Sequence, residues 1–335
     1  MQPAISVIIP VHNAESTLKA AIDSILRQTA RDFEIIAVND GSTDNTPLIL
    51  DSIAARDNRV NAIHVPKRGI IDALNQGIAA SRAPLIARMD ADDISHPRRL
   101  ELQAELMRAR PELSVCSSRI KMFPRRRLQG GLVRYEEWLN SLLSHDEITR
   151  DIFIESPIAH PSVMLRREEL LELGGYRERG WAEDYDLWLR YHAAGKLFAK
   201  VAQTLVCWRQ SEGRLTFTDS RYSVENFLRA KAHYLARLPQ LSDRPVIIWG
   251  AGKTGRRLSK HLIREGLLFE AALDIHPDKI GRKLRGRPIY PHSYLAERPD
   301  AFVIAAVSSL GSRALIREYL TSLGREETRD FICAA

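Results

Sequence analysis

The chain has 335 residues, 44% hydrophobic and 27% charged, with 49 basic against 42 acidic side chains. That make-up excludes disordered, collagen-like and disulfide-scaffold proteins and gives enough length for two domains. The three cysteines, Cys116, Cys207 and Cys333, form no CxxC pair and suggest neither a zinc site nor a redox motif.

Read in chain order, the first hundred residues alternate short apolar runs with helical patterns, the signature of βα units on a largely parallel sheet. Strands are predicted over 5–9, 34–38, 62–65 and 85–89, with helices over 18–26, 48–55 and 70–81 between them. Leu18, Ala21, Ile22, Ile25 and Leu26 give the first helix its apolar stripe, with Ser16 or Thr17 placed to cap it. From about residue 135 the pattern turns more helical and closes with an amphipathic stretch over 220–238. Pro239–Pro245 reads as a linker. A second α/β unit follows: a strand over 246–249, a helix to about Glu265, a strand ending at Asp274, apolar runs over 288–290, 301–306 and 331–333, and a helix over 310–323. The expected domains are 1–240 and 245–335.

No run reaches the roughly 18–20 apolar residues of a membrane span, and the start Met1-Gln-Pro-Ala lacks the parts of a signal peptide. A cytoplasmic protein is therefore expected. The net charge of +7 is densest at Arg125, Arg126 and Arg127, in a stretch that reads as a loop. No interleaved aromatics offer a base-stacking platform, so nucleic acid is not an expected partner. The loop is either a solvated surface or a contact for a phosphate-bearing substrate or an anionic bilayer.

Open α/β sheets bind ligands beyond the carboxyl ends of their strands. Two of those ends are acidic, Asn39–Asp44 and Asp90–Asp93. Asp90, Asp92 and Asp93 would repel one another unless a cation sat among them, and hard divalent ions prefer carboxylate oxygen. Mg²⁺ or Mn²⁺ held by one or two carboxylates and the oxygens of a bound diphosphate is the natural inference; a capped turn is the plainer one. Glu183 and Asp184 open a further helix, where acidic residues also suit the helix dipole. Transfer of a group from a diphosphate to a hydroxyl needs both a base and a cation.

These residues carry a resemblance. IIPVHN at 8–13, VNDGSTD at 38–44, ARMDADD at 87–93 and AEDYDLWLR at 182–190 resemble, in order and spacing, the family 2 glycosyltransferases over roughly residues 1–215. The resemblance implies a glycosyltransferase A-type fold: α/β, with one nucleotide-binding domain. It implies that Pro10, His12 and Asn13 lie in the first nucleotide-contacting loop, and that Asp40 bonds the base of a nucleotide-sugar donor. It further implies that Asp90 lies near ribose or metal, that Asp92 binds the metal, and that Asp184 is the catalytic base of an inverting transfer. Asn75, in a segment similar to the one that precedes the DxD strand, either orients the donor or lies on a helix surface. His160 resembles an acceptor-side residue, Glu183 is expected with it on the acceptor side, and Trp181 beside Glu183 is either a sugar-stacking platform or core. Relatives commonly carry a histidine after the aromatic–arginine pair, whereas Trp208 and Arg209 are followed here by Gln210 and Ser211. Arg209 would still meet the diphosphate, while a histidine ligand to the cation is absent.

Gly250, Gly252 and Gly255 form GxGxxG between a strand and a helix, with Asp274 ending the next strand. That geometry suits a pyrophosphate on the glycine turn and a ribose hydroxyl on the Asp. A Walker A loop is ruled out because Ile247 stands where its first glycine is required. The segment resembles Rossmann-like domains of sugar-nucleotide-modifying enzymes. It would bind a dinucleotide or sugar nucleotide, or serve assembly, including self-association into a homo-oligomer, or regulation without a ligand. The expected partners are thus a nucleotide-sugar donor and a glycan or lipid-linked acceptor of the cell envelope, with the protein peripheral at the inner membrane face. An oxidoreductase or regulatory protein working through residues 245–335 is the alternative.

Overall fold

The computed structural model describes residues 2–211 and 213–335. The chain forms two compact units. One comprises Met1–Ile148, Pro157–Arg179 and Asp186–Phe217; the other comprises Thr149–Ser156, Gly180–Tyr185 and Thr218–Ala335. No helix among the described residues is long and apolar enough to cross a membrane.

The first unit is built on β1 (Ile5–Val11), α1 (Leu18–Leu26), β2 (Phe33–Asp40), α2 (Thr46–Ala54), β3 (Val60–Val65), α3 (Ile70–Ala80) and β4 (Leu85–Arg88), as the alternating pattern predicts. β5 (Ile94–Ser95), α4 (Arg99–Ala109), β6 (Leu113–Phe123), α5 (Gly130–Ser141), α6 (His145–Asp151), β7 (Met164–Arg166), α7 (Arg167–Glu172), α8 (Glu183–Ala193), β8 (Leu197–Arg209) and α9 (Leu215–Thr218) follow, with the end of α6 from Thr149, the start of α8 to Tyr185 and Thr218 of α9 counted in the second unit. The sheet order is β3-β2-β1-β4-β7-β6-β8-β5. β3, β2, β1 and β4 run parallel, β7 is antiparallel to both its neighbours, and β6 and β8 are parallel to each other.

Strand alternation sorts the core. Ile5, Val7 and Ile9 of β1 join Leu18, Ile22 and Ile25 of α1 and Leu100 of α4 in one apolar cluster. Each such fully buried aliphatic side chain is worth about 1.5–3 kcal/mol. Ile8 faces the other way, onto α3. A Cβ on Gly77 would stand 2.5 Å from Ile8 Cγ2, so this glycine is what lets α3 approach the sheet. Thr17 stands at the N-cap of α1 without a side-chain cap; its hydroxyl donates back to Ala14 O at 3.5 Å.

β8 is the main departure from the predicted pattern, which reads the region after residue 135 as mostly helical, and β6, ahead of that region, is not among the predicted strands. β6 carries a polar centre, Ser117 to Arg119, and β8 an exposed one, Ala202 to Thr204, so neither shows the continuous apolar run of a central strand.

The second unit holds α10 (Val224–Leu235), β9 (Val246–Trp249), α11 (Lys253–Arg264), β10 (Ala271–Leu273), β11 (Lys283–Leu284), β12 (Arg287–Tyr290), β13 (Phe302–Ala305), α12 (Ser312–Ser322) and β14 (Phe331–Cys333). Ser223 caps α10, its hydroxyl accepting from Asn226 N. The expected linker contains a short 3₁₀ turn at Pro239–Leu241 that buries Leu241. Five parallel strands and the antiparallel β11 lie in the order β11-β12-β10-β9-β13-β14, a Rossmann-like arrangement.

Candidate active site

The carboxyl ends of β1, β2 and β4 lie side by side, so the loops after them share one end of the sheet. Pro10 and Val11 end β1, and Asn13 follows in the left-handed region at φ 47°. That turn lets Asn13 Oδ1 accept from Thr43 N at 2.8 Å while Asn13 N donates to Ser42 Oγ at 2.9 Å, lacing the two loops together. His12 Nδ1 donates to Asp40 O at 2.8 Å, and Lys67 Nζ donates to His12 Nε2 at 3.0 Å, partners that assign the ring proton to Nδ1.

Asp40 is buried at the end of β2. Its Oδ1 accepts from Arg68 N at 2.6 Å and its Oδ2 from Gly69 N at 2.9 Å, so the carboxylate fixes the loop leading into α3. Gly41 (φ 58°) stays close against that loop, where a Cβ would fall 2.6 Å from Lys67 N. Asn75, on α3, spends both amide atoms on the backbone of Tyr176: Nδ2 donates to the carbonyl at 2.9 Å and Oδ1 accepts from the N–H at 3.0 Å.

β4 ends at Arg88, and the chain turns into Asp90, Asp92 and Asp93, which can each offer a carboxylate oxygen within 4.8 Å of the others. Burial, with the charge of Asp90 next, pushes the Asp92 carboxyl up to about 6 and the fully buried Asp93 well above the usual carboxylate range. Three groups answer that charge. Arg88 Nη2 lies 2.5 Å from Asp90 Oδ1. Arg209, ending β8, donates its N–H to Asp93 Oδ1 and its Nε–H to Asp92 O, both at 2.6 Å, with its guanidinium over the Phe123 ring at 4.5 Å. The charge of Arg214 opposes that rise at both Asp92 and Asp93 by favouring their ionised forms. Asp93 Oδ2 is nevertheless buried with no hydrogen-bond partner among the described residues. Hard oxygen donors, mutual repulsion and an unsatisfied buried carboxylate oxygen together fit a divalent cation.

His160, expected on the acceptor side, is buried instead. Its Nε2 pairs with Tyr176 OH at 2.7 Å, and burial, with Arg88 nearby, holds its pKa well below the usual range. Such a ring is a buried hydrogen-bonding partner of Tyr176.

Trp181, Glu183 and Asp184 belong to the second unit. Trp181 is 6% exposed, its ring under the Arg229 guanidinium and tilted against His233, which leaves no open face for a sugar. Glu183 is buried too: both its oxygens accept from Tyr222 OH at 2.8 Å, and Arg221 stands at 3.9 Å. Burial, followed by the charges of Glu183 and Asp184, keeps the Tyr222 hydroxyl protonated far above its ordinary range. Asp184 is part-exposed at the head of α8, with Oδ1 accepting from Tyr185 N at 2.7 Å. In the same unit Gly250, Gly252 and Gly255 form the turn from β9 into α11, and Asp274 follows β10.

Sequence reasoning passes over Arg88 and Lys67. The signal for Arg88 is a cation inside a buried strand two residues before an aspartate, a place where an unpaired charge is too costly to persist.

Residues 6–174 match the model of glycosyl transferase family 2, and residues 242–319 match a model described as CoA binding domain. The O-antigen biosynthesis glycosyltransferase WbnJ of Escherichia coli is 33% identical over 187 residues, 56% of this chain and 70% of that protein. The fold is similar to that of S. aureus TarS 1–349 in complex with UDP-GlcNAc, at a TM-score of 0.57 and 18% identity over 79% of this chain and 72% of that one. It is also similar to that of the mannosyltransferase PcManGT from Pyrobaculum calidifontis in complex with GDP-Man and Mn²⁺, at a TM-score of 0.51 and 17% identity over 70% and 63%.

Proposed function

The chain belongs to the family 2 glycosyltransferases, and from that premise we propose that it moves a sugar, with inversion, from a nucleotide-diphosphate sugar to a hydroxyl of a glycan or lipid-linked acceptor. Residues 1–240 carry the reaction and 245–335 form an accessory Rossmann-like module. The observation that bears most weight is the acidic turn after β4, three carboxylates gathered within 4.8 Å and braced by Arg88 and Arg209.

Asp90 and Asp92 would hold Mn²⁺ or Mg²⁺, and the ion supplies positive charge against the diphosphate as it leaves. The chain's own residues do the rest. The loops laced by Asn13 and Asp40 receive the nucleoside, and a carboxylate at a strand end accepts an imide or amino hydrogen of the base. Arg209 adds a fixed cation beside the diphosphate. Asp184 takes the proton of the acceptor hydroxyl; the oxygen attacks the anomeric carbon from the face opposite the diphosphate. One C–O bond forms, the C–O bond to the phosphate breaks, and the nucleoside diphosphate carries away the electron pair. The names of the relatives support a polysaccharide product: one acts in O-antigen biosynthesis, and a further Escherichia coli relative, 28% identical, is named for a diphosphoundecaprenol-linked acceptor. A protein peripheral at the cytoplasmic membrane face suits such an acceptor.

The test is turnover of UDP-GlcNAc, UDP-Gal and GDP-Man by the full chain with and without Mn²⁺, following the anomeric configuration of the product by NMR. One donor is expected to turn over only with the ion and to give the opposite anomer. Asp184→Asn should then lower kcat by about 100-fold or more while leaving donor Kd unchanged. Retention of configuration, or full turnover by Asp184→Asn, overturns the assignment.

A further inference from the structure

The net charge of the chain is unevenly placed. Residues 253–287 hold ten Lys and Arg against four Asp and Glu, a net charge of +6 where the whole chain nets +7. That span covers α11, β10, β11 and the start of β12, all in the second unit.

Three of its four carboxylates are spent on partners. Glu265 Oε2 lies 3.0 Å from His233 Nδ1 and 2.8 Å from Arg237 Nη1, Glu270 pairs with Arg298, and Asp274 Oδ2 accepts from Lys279 Nζ at 2.9 Å. The cations are mostly left over. Lys260 and Lys279 pair with Glu225 and Asp274, and the other eight form no ion pair among the described residues. Arg256 and Arg264 stand exposed on α11, and Arg282, Lys283, Arg285 and Arg287 stand exposed on and around the β11–β12 hairpin.

The hairpin turns at Arg285 (φ 49°) and Gly286 (φ 83°), between the paired residues Leu284 and Arg287. Two left-handed residues in a row match the twist of a hairpin, and Asn-Gly is the usual choice. A long side chain at the first of them is strained, so arginine stands there for what its side chain does. Its Nη2 donates to Arg256 O at 2.8 Å and its Nε to Ser259 Oγ at 3.2 Å, which pins the hairpin to α11 and joins the two basic stretches into one face.

Aliphatic side chains are uncovered among these charges. Ile263 precedes Arg264, Leu268 follows it at 63% exposure, and Ile280 comes two residues before Arg282. β11 is the outer strand of its sheet, and a lysine on such an edge commonly guards against pairing with another chain. Guarding accounts for Lys283. It accounts neither for the cations of α11 nor for the exposed aliphatic groups. An anionic bilayer uses both, taking the charge at its headgroups and the apolar groups just beneath them. A nucleic acid would use only the first.

We propose that the face made by α11 and the β11–β12 hairpin docks the protein on an anionic phospholipid bilayer. The contact is thereby assigned to the second unit rather than to the loop at Arg125–Arg127, where Arg125 is already paired with Glu136 at 2.6 Å. The inference rests on the peripheral placement proposed above, and its test involves no sugar transfer, so failure of either is read separately.

The test is co-sedimentation of the full chain with vesicles of phosphatidylcholine, alone or with about 30% phosphatidylglycerol, in the absence of donor, acceptor and divalent ion. Binding is expected to the anionic vesicles only, and to fall steeply between about 0.1 M and 0.5 M salt. Arg282→Ala, Lys283→Ala and Arg287→Ala combined should weaken it by about a hundredfold at an unchanged Tm, roughly fivefold for each cation. Arg257→Ala with Arg264→Ala should weaken it by about thirtyfold, while Arg126→Ala with Arg127→Ala should leave it intact. Absence of binding to anionic vesicles at low salt overturns the proposal, as does binding that both face variants keep. Loss confined to the Arg126 and Arg127 variant would move the contact to that loop, and binding of an RNA oligonucleotide but of no vesicle would make the face one for nucleic acid; each overturns it too.

Discussion

Replacing Asn75 by alanine separates a residue that holds the fold from one that touches the donor. In the structure its amide is committed to Tyr176 by hydrogen bonds of 2.9 and 3.0 Å, across 101 positions of sequence. Each such bond is worth about 1 kcal/mol, and leaving the N–H of the buried Tyr176 without an acceptor costs about 1–3 kcal/mol more. Asn75→Ala should therefore destabilise the protein by about 2–4 kcal/mol. Urea unfolding, with the midpoint and slope both fitted, measures that loss. Asn75→Asp keeps the acceptor for Tyr176 N but sets an oxygen against Tyr176 O, so it should recover only part of the difference. The same turn holds Gly175 at φ 60°, with space for a Cβ closed at 2.7 Å by Asn75 Oδ1, so Gly175→Ala should be destabilising by a comparable amount. A stability change under about 0.5 kcal/mol for Asn75→Ala, joined to a tenfold rise in donor KM, would refute this reasoning and return Asn75 to the donor.

Further outcomes follow from the same contacts. Burial, with His145 adding like charge, lowers the pKa of His192 to about 4, against 6.5 in the unfolded chain. The native state thus binds the proton less well, and stability is lost as pH falls from about 6.5 towards 4, at up to about 1.4 kcal/mol per pH unit. Comparing pH 7.5 with pH 5, His192→Gln should lose about 2 kcal/mol less than the parent chain by urea unfolding; equal losses would show that this ring is not buried neutral. Addition of Mn²⁺ should raise the Tm of the full chain, and chelation should reverse it, since an ion bound only by the native state stabilises it. Asp92→Asn should abolish that rise, and a rise that survives the substitution would move the ion elsewhere. Arg88→Met leaves the part-buried Asp90 without its cation, and stability by urea unfolding should fall by about 1–3 kcal/mol; an unchanged midpoint would show that the pair contributes nothing.

The alternating first hundred residues were open to sequence reading because local periodicity and burial agree there: β1 and β4 are buried and largely apolar, and α1 and α3 each have one apolar stripe. The acidic turn was open as well, because like charges at one strand end have few explanations. What stayed hidden was set by partners remote in sequence. β6 and β8 are strands because they pair with each other and with β7 and β5, although their centres are polar. Asn75, His160 and Glu183 look from the sequence like ligand contacts, since each is a polar residue in a motif. The structure hydrogen-bonds the first two to Tyr176 and the third to Tyr222, tyrosines placed by the tertiary fold.

The bond from Arg209 N to Asp93 Oδ1 spans 116 positions. The entropy of closing so long a loop rises only slowly with its length, so the cost to stability is modest, while contacts of this range slow folding as a whole. Until β8 is laid beside β5, the acidic turn lacks both bonds from Arg209 and its carboxylates face one another with less cationic support. The charge balance of the acidic turn thus depends on a strand that lies more than a hundred positions away, so a change that unpairs β8 from β5 would reach the turn even with β1 to β4 intact.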